Sequence, residues 1–225
     1  MKKGFTLAEV LITLGIIGVV AALTIPTLMR GYQKRLYVTQ LQKVYNLLTT
    51  QIQTYMREEG LTTLYPGFNA QRFFSRYVTT TKYCGTDPTG CMASQYTSLD
   101  GNNTYTISDM LGARYTCGVL DTGATLCFEP PGTSDEYENG EITWHTFYQV
   151  VIDINGPKPP NTKGRDYFNI ELYSDGKVAD SYDKTTVFYK QAMDAGRANN
   201  CLNGVEGYAD HCFGKIISDG WSMDY

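Results

Sequence analysis

Met1-Lys-Lys-Gly4-Phe5-Thr-Leu-Ala-Glu9 opens the chain, and Val10-Leu-Ile-Thr-Leu-Gly-Ile-Ile-Gly-Val-Val-Ala-Ala-Leu-Thr-Ile-Pro-Thr-Leu-Met29 follows without a charge. At about 1.5 Å per residue, the uncharged run matches the roughly 30 Å hydrocarbon core of a bilayer. A cleaved secretory signal would share the basic start, and Val20-Ala21-Ala22 offers small residues for its cut. The apolar run continues past that point, however, and Glu9 lies inside the apolar segment. A carboxylate there costs roughly 2.5 kcal/mol or more in lipid, so a plain signal or anchor has no use for it. A lipoprotein is excluded, because no cysteine precedes Cys84.

Past Met29 the helical pattern turns amphipathic. Tyr37, Leu41, Val44, Leu48, Ile52 and Tyr55 recur three or four residues apart, while Lys34, Thr39, Gln42, Lys43, Asn46 and Gln53 fill the other face. Gly60 is the expected stop. The spacing therefore predicts one helix from Phe5 to Glu59, apolar all round in its first half and striped in its second. Pro26 removes one hydrogen bond within it and predicts a gentle kink.

Beyond residue 60 the signals change. Phe68 to Val78 reads as a short helix. Thr143 to Ile154 is rich in β-branched and aromatic residues, with Trp144, Tyr148, Val150, Ile152 and Ile154 on one face and Thr146 the polar exception. Tyr167 to Tyr173 reads as a second strand, turning through Ser174-Asp175-Gly176-Lys177 into Val178. Tyr115 to Leu120 and Thr125 to Phe128 flank a further hairpin turn at Asp121-Thr122-Gly123-Ala124. A long helix laid on an antiparallel sheet is an α+β fold.

The six cysteines are Cys84, Cys91, Cys117, Cys127, Cys201 and Cys212. Their even number, the lack of a C-x-x-C pair and the separation of His145 from His211 favour three disulfides in an oxidising compartment over zinc. Pairing in sequence order is expected: a turn-rich loop from Cys84 to Cys91, a cross-strand pair at Cys117 and Cys127, and a closing loop from Cys201 to Cys212.

Asp153-Ile-Asn155-Gly156-Pro-Lys-Pro-Pro160-Asn161-Thr-Lys-Gly164-Arg165-Asp166 gathers oxygen-bearing side chains in a Pro/Gly loop. Asp153, Asn155, Asn161 and Asp166 are candidate ligands for calcium, which takes about 6–8 oxygens. The competing reading is a rigid loop whose Asp and Asn side chains cap backbone groups. No other cofactor is expected. Catalysis finds no support: G-x-S-x-G, the phosphate loop and H-E-x-x-H are all missing. A net charge of −4 with no basic stripe argues against a nucleic-acid partner.

Lys3-Gly4 followed by Phe5-Thr-Leu-x-Glu9 and an apolar helix resembles the cleavage and methylation signal of type IV pilin-like proteins, including type II secretion pseudopilins and minor pilins. The resemblance covers about the first 30 residues. It implies that prepilin peptidase cuts after Gly4 and methylates the amino group of Phe5, and that Glu9 pairs with the Phe5 amine of a neighbouring subunit. The implied domains are a leader at 1–4, a transmembrane and filament-core helix at 5–29, its amphipathic continuation at 30–59, and a disulfide-bonded pilin-like head at 60–225. The implied partners are other pilin-like subunits, the peptidase, the inner membrane and an assembly platform. The implied place is the inner membrane, amino end in the cytoplasm and head in the periplasm, and then a periplasmic or surface filament. Counting positive charges does not give that orientation, since Lys2 and Lys3 are matched by Arg30, Lys34 and Arg35 beyond the apolar run. The Asp153–Asp166 loop also loosely resembles the calcium loop of the major pseudopilins, although it lacks their usual surrounding sequence and the full spacing of a calcium loop. The expected role is structural subunit. The rival readings are a minor pilin, tip adhesin or DNA-uptake subunit whose head binds a ligand, and a tethered monomer that never polymerises.

Overall fold

The computed structural model describes residues 6–111, 114–138, 141–180, 201 and 212–225, and for 133–138 and 141–146 it describes the backbone only. Gly4, Phe5 and His211 lie outside the described residues, as do the side chains of Trp144, His145 and Thr146.

Helix α1 runs from Leu7 to Glu58 and passes through Pro26 without interruption. Its C-terminus follows from Gly60, whose φ of 66° suits a residue without Cβ. Gly60 N–H reaches the Arg57 carbonyl and Leu61 N–H the Met56 carbonyl, the two bonds of a Schellman motif. The chain separates into two compact units, Met1–Leu36 and Tyr37–Tyr225.

In the first unit no described residue is buried, and Leu11, Leu14, Ile17, Leu23 and Leu28 are each at least 60% exposed. By length and composition this helix can cross a membrane: its most apolar 18 residues have a mean hydropathy of 2.3 and bury nothing within the chain.

In the second unit the stripe of α1 is buried at Val38, Leu41, Val44, Leu48, Ile52, Tyr55 and Met56. The stripe begins at Val38 rather than at Tyr37, which is only partly buried against the same core. It packs on one face of an antiparallel sheet. Among the described residues that sheet has seven strands: β1 (Thr80–Gly85), β4 (Thr116–Leu120), β5 (Thr125–Phe128), β6 (Gly132–Glu138), β7 (Glu141–Asp153), β8 (Tyr167–Tyr173) and β9 (Val178–Ala179). The order is β1-β4-β5-β7-β8-β9, and β6 extends the ladder along the first half of β7. Alternation along β7 sends Tyr148, Val150 and Ile152 to the helix side. Helices α2 (Ala70–Arg76) and α4 (Cys212–Ser218) add Phe73, Phe74, Phe213 and Ile216 to that core.

The opposite face of the sheet is covered as well. Residues 84–111, with β2 (Gln95–Thr97), β3 (Thr104–Thr106) and the short α3 (Ile107–Met110), fold over it. Tyr96, Met92, Leu111 and Cys91 there meet Val151, Cys117, Cys127 and Tyr167 from the strands. The disulfides are Cys84–Cys91, Cys117–Cys127 and Cys201–Cys212, the pairs in sequence order. Cys117 and Cys127 face each other across the β4–β5 ladder. The whole is a pilin-like α+β architecture: an apolar N-terminal helix continuing into an antiparallel sheet.

Candidate functional site

Two places carry the residues singled out in the sequence. The first is the loop from β7 to β8. Asp153 ends β7 on the face away from the helix and is fully buried beneath the 84–111 layer. The Tyr96 hydroxyl donates to its Oδ2, and the Asn155 backbone N–H donates to Oδ1 at 3.2 Å. Asp166 is also fully buried, and its carboxylate accepts from the N–H groups of Thr162 and, at 2.8 Å, Asn161. The loop is stitched to β2 through Thr97 N–H to Asn161 O and Lys163 N–H to Thr97 O, both 2.9 Å. Sequence reading missed Tyr96, which lies 57 positions from Asp153.

Burial pushes the Asp153 carboxyl well above its ordinary pKa; the Tyr96 hydrogen bond opposes the rise and the charge of Asp166 adds to it. Burial also raises Asp166, against the pull of the Thr162 and Asn161 N–H groups. The Asn155 side-chain N–H bonds the carbonyls of Lys158 and Pro159, while its Oδ1 and that of Asn161 are buried without a hydrogen-bond partner. The fold thus brings all four predicted residues to one loop. Two carboxylates and two unpartnered amide oxygens are hard donors of the kind calcium takes. Among the described residues no three His, Cys, Asp or Glu side chains gather at one point, so the amide oxygens would be needed to complete such a site.

The second place is the start of α1. The Thr6 N–H and hydroxyl both donate to Glu9 Oε2 at 2.8 Å, and the Glu9 N–H returns to Thr6 Oγ1 at 3.3 Å. This reciprocal pair is a capping box, Thr-x-x-Glu, which satisfies two of the free N–H groups at a helix start. Thr6-Leu-Ala-Glu9 carries that signal in its spacing. Within its own chain, then, the carboxylate in the apolar segment already has partners.

Residues 1–25 match the family model described as the prokaryotic N-terminal methylation motif. The chain carries a type IV prepilin signal. No curated protein and no solved structure matches the chain. A prepilin signal implies processing by prepilin peptidase and assembly with other pilin-like subunits. Glu9 is the residue of that signal whose chemistry the fold displays.

Proposed function

We propose that the chain is a structural subunit of a type II secretion pseudopilus or type IV pilus and has no catalytic activity. Prepilin peptidase cuts after Gly4 and methylates the Phe5 amine. Residues 5–29 hold the precursor in the inner membrane, amino end in the cytoplasm and head in the periplasm, and later form the filament core. There Glu9 exchanges its bonds to Thr6 for the Phe5 amine of a neighbouring copy. A buried carboxylate is tolerated only when paired, so this meeting favours one register over all slipped ones.

One observation carries the reading: the methylation motif leads into a helix whose first thirty residues find no burial within their own chain. Intact-mass and fragment spectrometry of the protein from its native membrane tests it. The expected product starts at N-methylated Phe5. A chain retaining residues 1–4, or an unmodified terminus at Leu23, would overturn it.

A minor subunit whose head binds a ligand is the second reading, favoured by the concave pocket described below. For the β7–β8 loop we propose calcium held by Asp153, Asp166 and the amide oxygens of Asn155 and Asn161. Its support is the pair of desolvated carboxylates beside two unpartnered oxygens. Bound there, the ion would supply the positive charge that two neighbouring buried carboxylates need in order to ionise together.

A further inference from the structure

On the head, the start of α2 and the ends of β1, β4 and β5 border an open pocket of about 380 Å³, within the range of small-ligand sites. Four aromatic rings form its apolar wall. Phe128 and Tyr148 are buried at its base, Phe68 is half-buried, and Tyr83 is 45% exposed. The rings hold one another: Phe68 lies 5.1 Å from both Phe128 and Tyr148, and Tyr83 lies 5.9 Å from Phe74. The wall is therefore in place before anything binds.

The polar part of the lining decides the ligand class. Its charged members, Arg114 and Glu129, pair with each other at 3.3 Å, and the Tyr115 hydroxyl also donates to Glu129 at 3.0 Å. The remaining lining residues are neutral, so neither an anion nor a cation meets an unbalanced charge. Among the described residues the side chains of Gln71, Thr86 and Thr116 line the pocket and have no hydrogen-bond partner in the fold, and they offer donors and acceptors together. Main-chain recognition of a peptide is poorly served. Pro130 and Pro131 have no N–H, the Glu129 N–H is spent on the Gln149 carbonyl, and Thr116 and Phe128 already pair across the β4–β5 ladder.

We infer that this pocket binds a neutral saccharide, as a mono- or disaccharide unit. Pyranose C–H faces would stack on the half-buried ring of Phe68 and the exposed ring of Tyr83, and the ring hydroxyls would take the amide and hydroxyl groups of Gln71, Thr86 and Thr116. The inference rests on the second reading above only in giving the head a ligand; it does not depend on which filament the chain builds.

The test uses the full chain in a detergent without a sugar headgroup, on an array holding both neutral and anionic glycans. The best neutral hit is then titrated by saturation-transfer NMR. Binding of neutral glycans is expected, weakened about tenfold or more in Tyr83→Ala and in Gln71→Ala. Both side chains are exposed, so the thermal midpoint should stay within about 2 °C of the parent. No neutral binder at millimolar glycan, equal binding by both variants, or a preference for anionic glycans would each overturn the inference. So would a pocket that binds no glycan in the free chain and becomes shielded when filaments form, which would assign it to a subunit contact. Filament assembly by Tyr83→Ala, followed separately, reports on the assembly reading and not on this one.

Discussion

Leu14 and Leu48 belong to the same helix and carry the same side chain, yet Leu14 is 60% exposed and Leu48 is wholly buried. The difference runs along α1 as a whole. From Val38 onward one stripe is covered by the sheet; before it, apolar side chains face outward on all sides. Full burial of a leucine is worth about 1.5–3 kcal/mol. The second half collects that stabilisation from its own chain. The first half must collect it from elsewhere, and in the function proposed above that surface is lipid first and then sister helices. Hydrophobicity alone does not mark a core, because what matters is whether the fold supplies the opposing surface.

The hardest test of this division is Glu9→Ala or Glu9→Leu. Either is expected to leave cleavage after Gly4 intact and to abolish incorporation into filaments, scored by the pilin content of sheared material. Normal assembly would remove the distinction between an anchor that merely inserts and one that pairs.

The paired substitutions Leu48→Ala and Leu14→Ala come next. Leu48→Ala should cost the head about 2–5 kcal/mol in denaturant unfolding, since it empties a fully buried site. Leu14→Ala should leave that transition where it was, and a shift of similar size in both would erase the contrast between the halves. Calcium sharpens the comparison from the other side, because it would act on the packed unit alone. Adding calcium at about a hundredfold its dissociation constant to chelator-treated protein should stabilise by about 2.7 kcal/mol, raising the midpoint by roughly 5–10 °C. Asp153→Asn should abolish that increment. A midpoint indifferent to millimolar calcium would leave the loop as a set of backbone caps. The smallest effect belongs to Thr6→Ala, which removes one side of the capping box. A loss of about 1 kcal/mol is expected, visible as fraying of the amide protons at the helix start in micelles, with the head transition unmoved.

Much of this was legible in the residues because period and punctuation are local signals. The stripe of α1, the Gly60 stop, β8 with its turn at Gly176, and the β4–β5 hairpin all follow from neighbours in sequence. The stripe began one residue late because Tyr37 and Val38 are adjacent and only packing chooses between them. Strand β1 is not legible in the residues, since Thr80–Gly85 is a mostly polar edge strand with two irregularities in its register. β6 reads Gly-Thr-Ser-Asp-Glu-Tyr-Glu and is defined by its register with β7 rather than by any alternation of its own. The four loop residues were found from their chemistry. The burial of Asp153 was not, because it depends on a distant layer folding over the sheet and delivering Tyr96.

Each disulfide closes a short stretch, its cysteines 7, 10 or 11 positions apart, and no bridge encloses another. A chain held by its amino end and threaded outward through a translocation channel would present such cysteines in order, each with its mate following 7, 10 or 11 positions later. Oxidation can then keep pace with emergence. Short spans close at little entropic cost, whereas a wrong bridge would have to wait for a cysteine still on the far side. The arrangement of sulfurs thus suits the proposed export route, in which the head would be finished while the other end is still fastened.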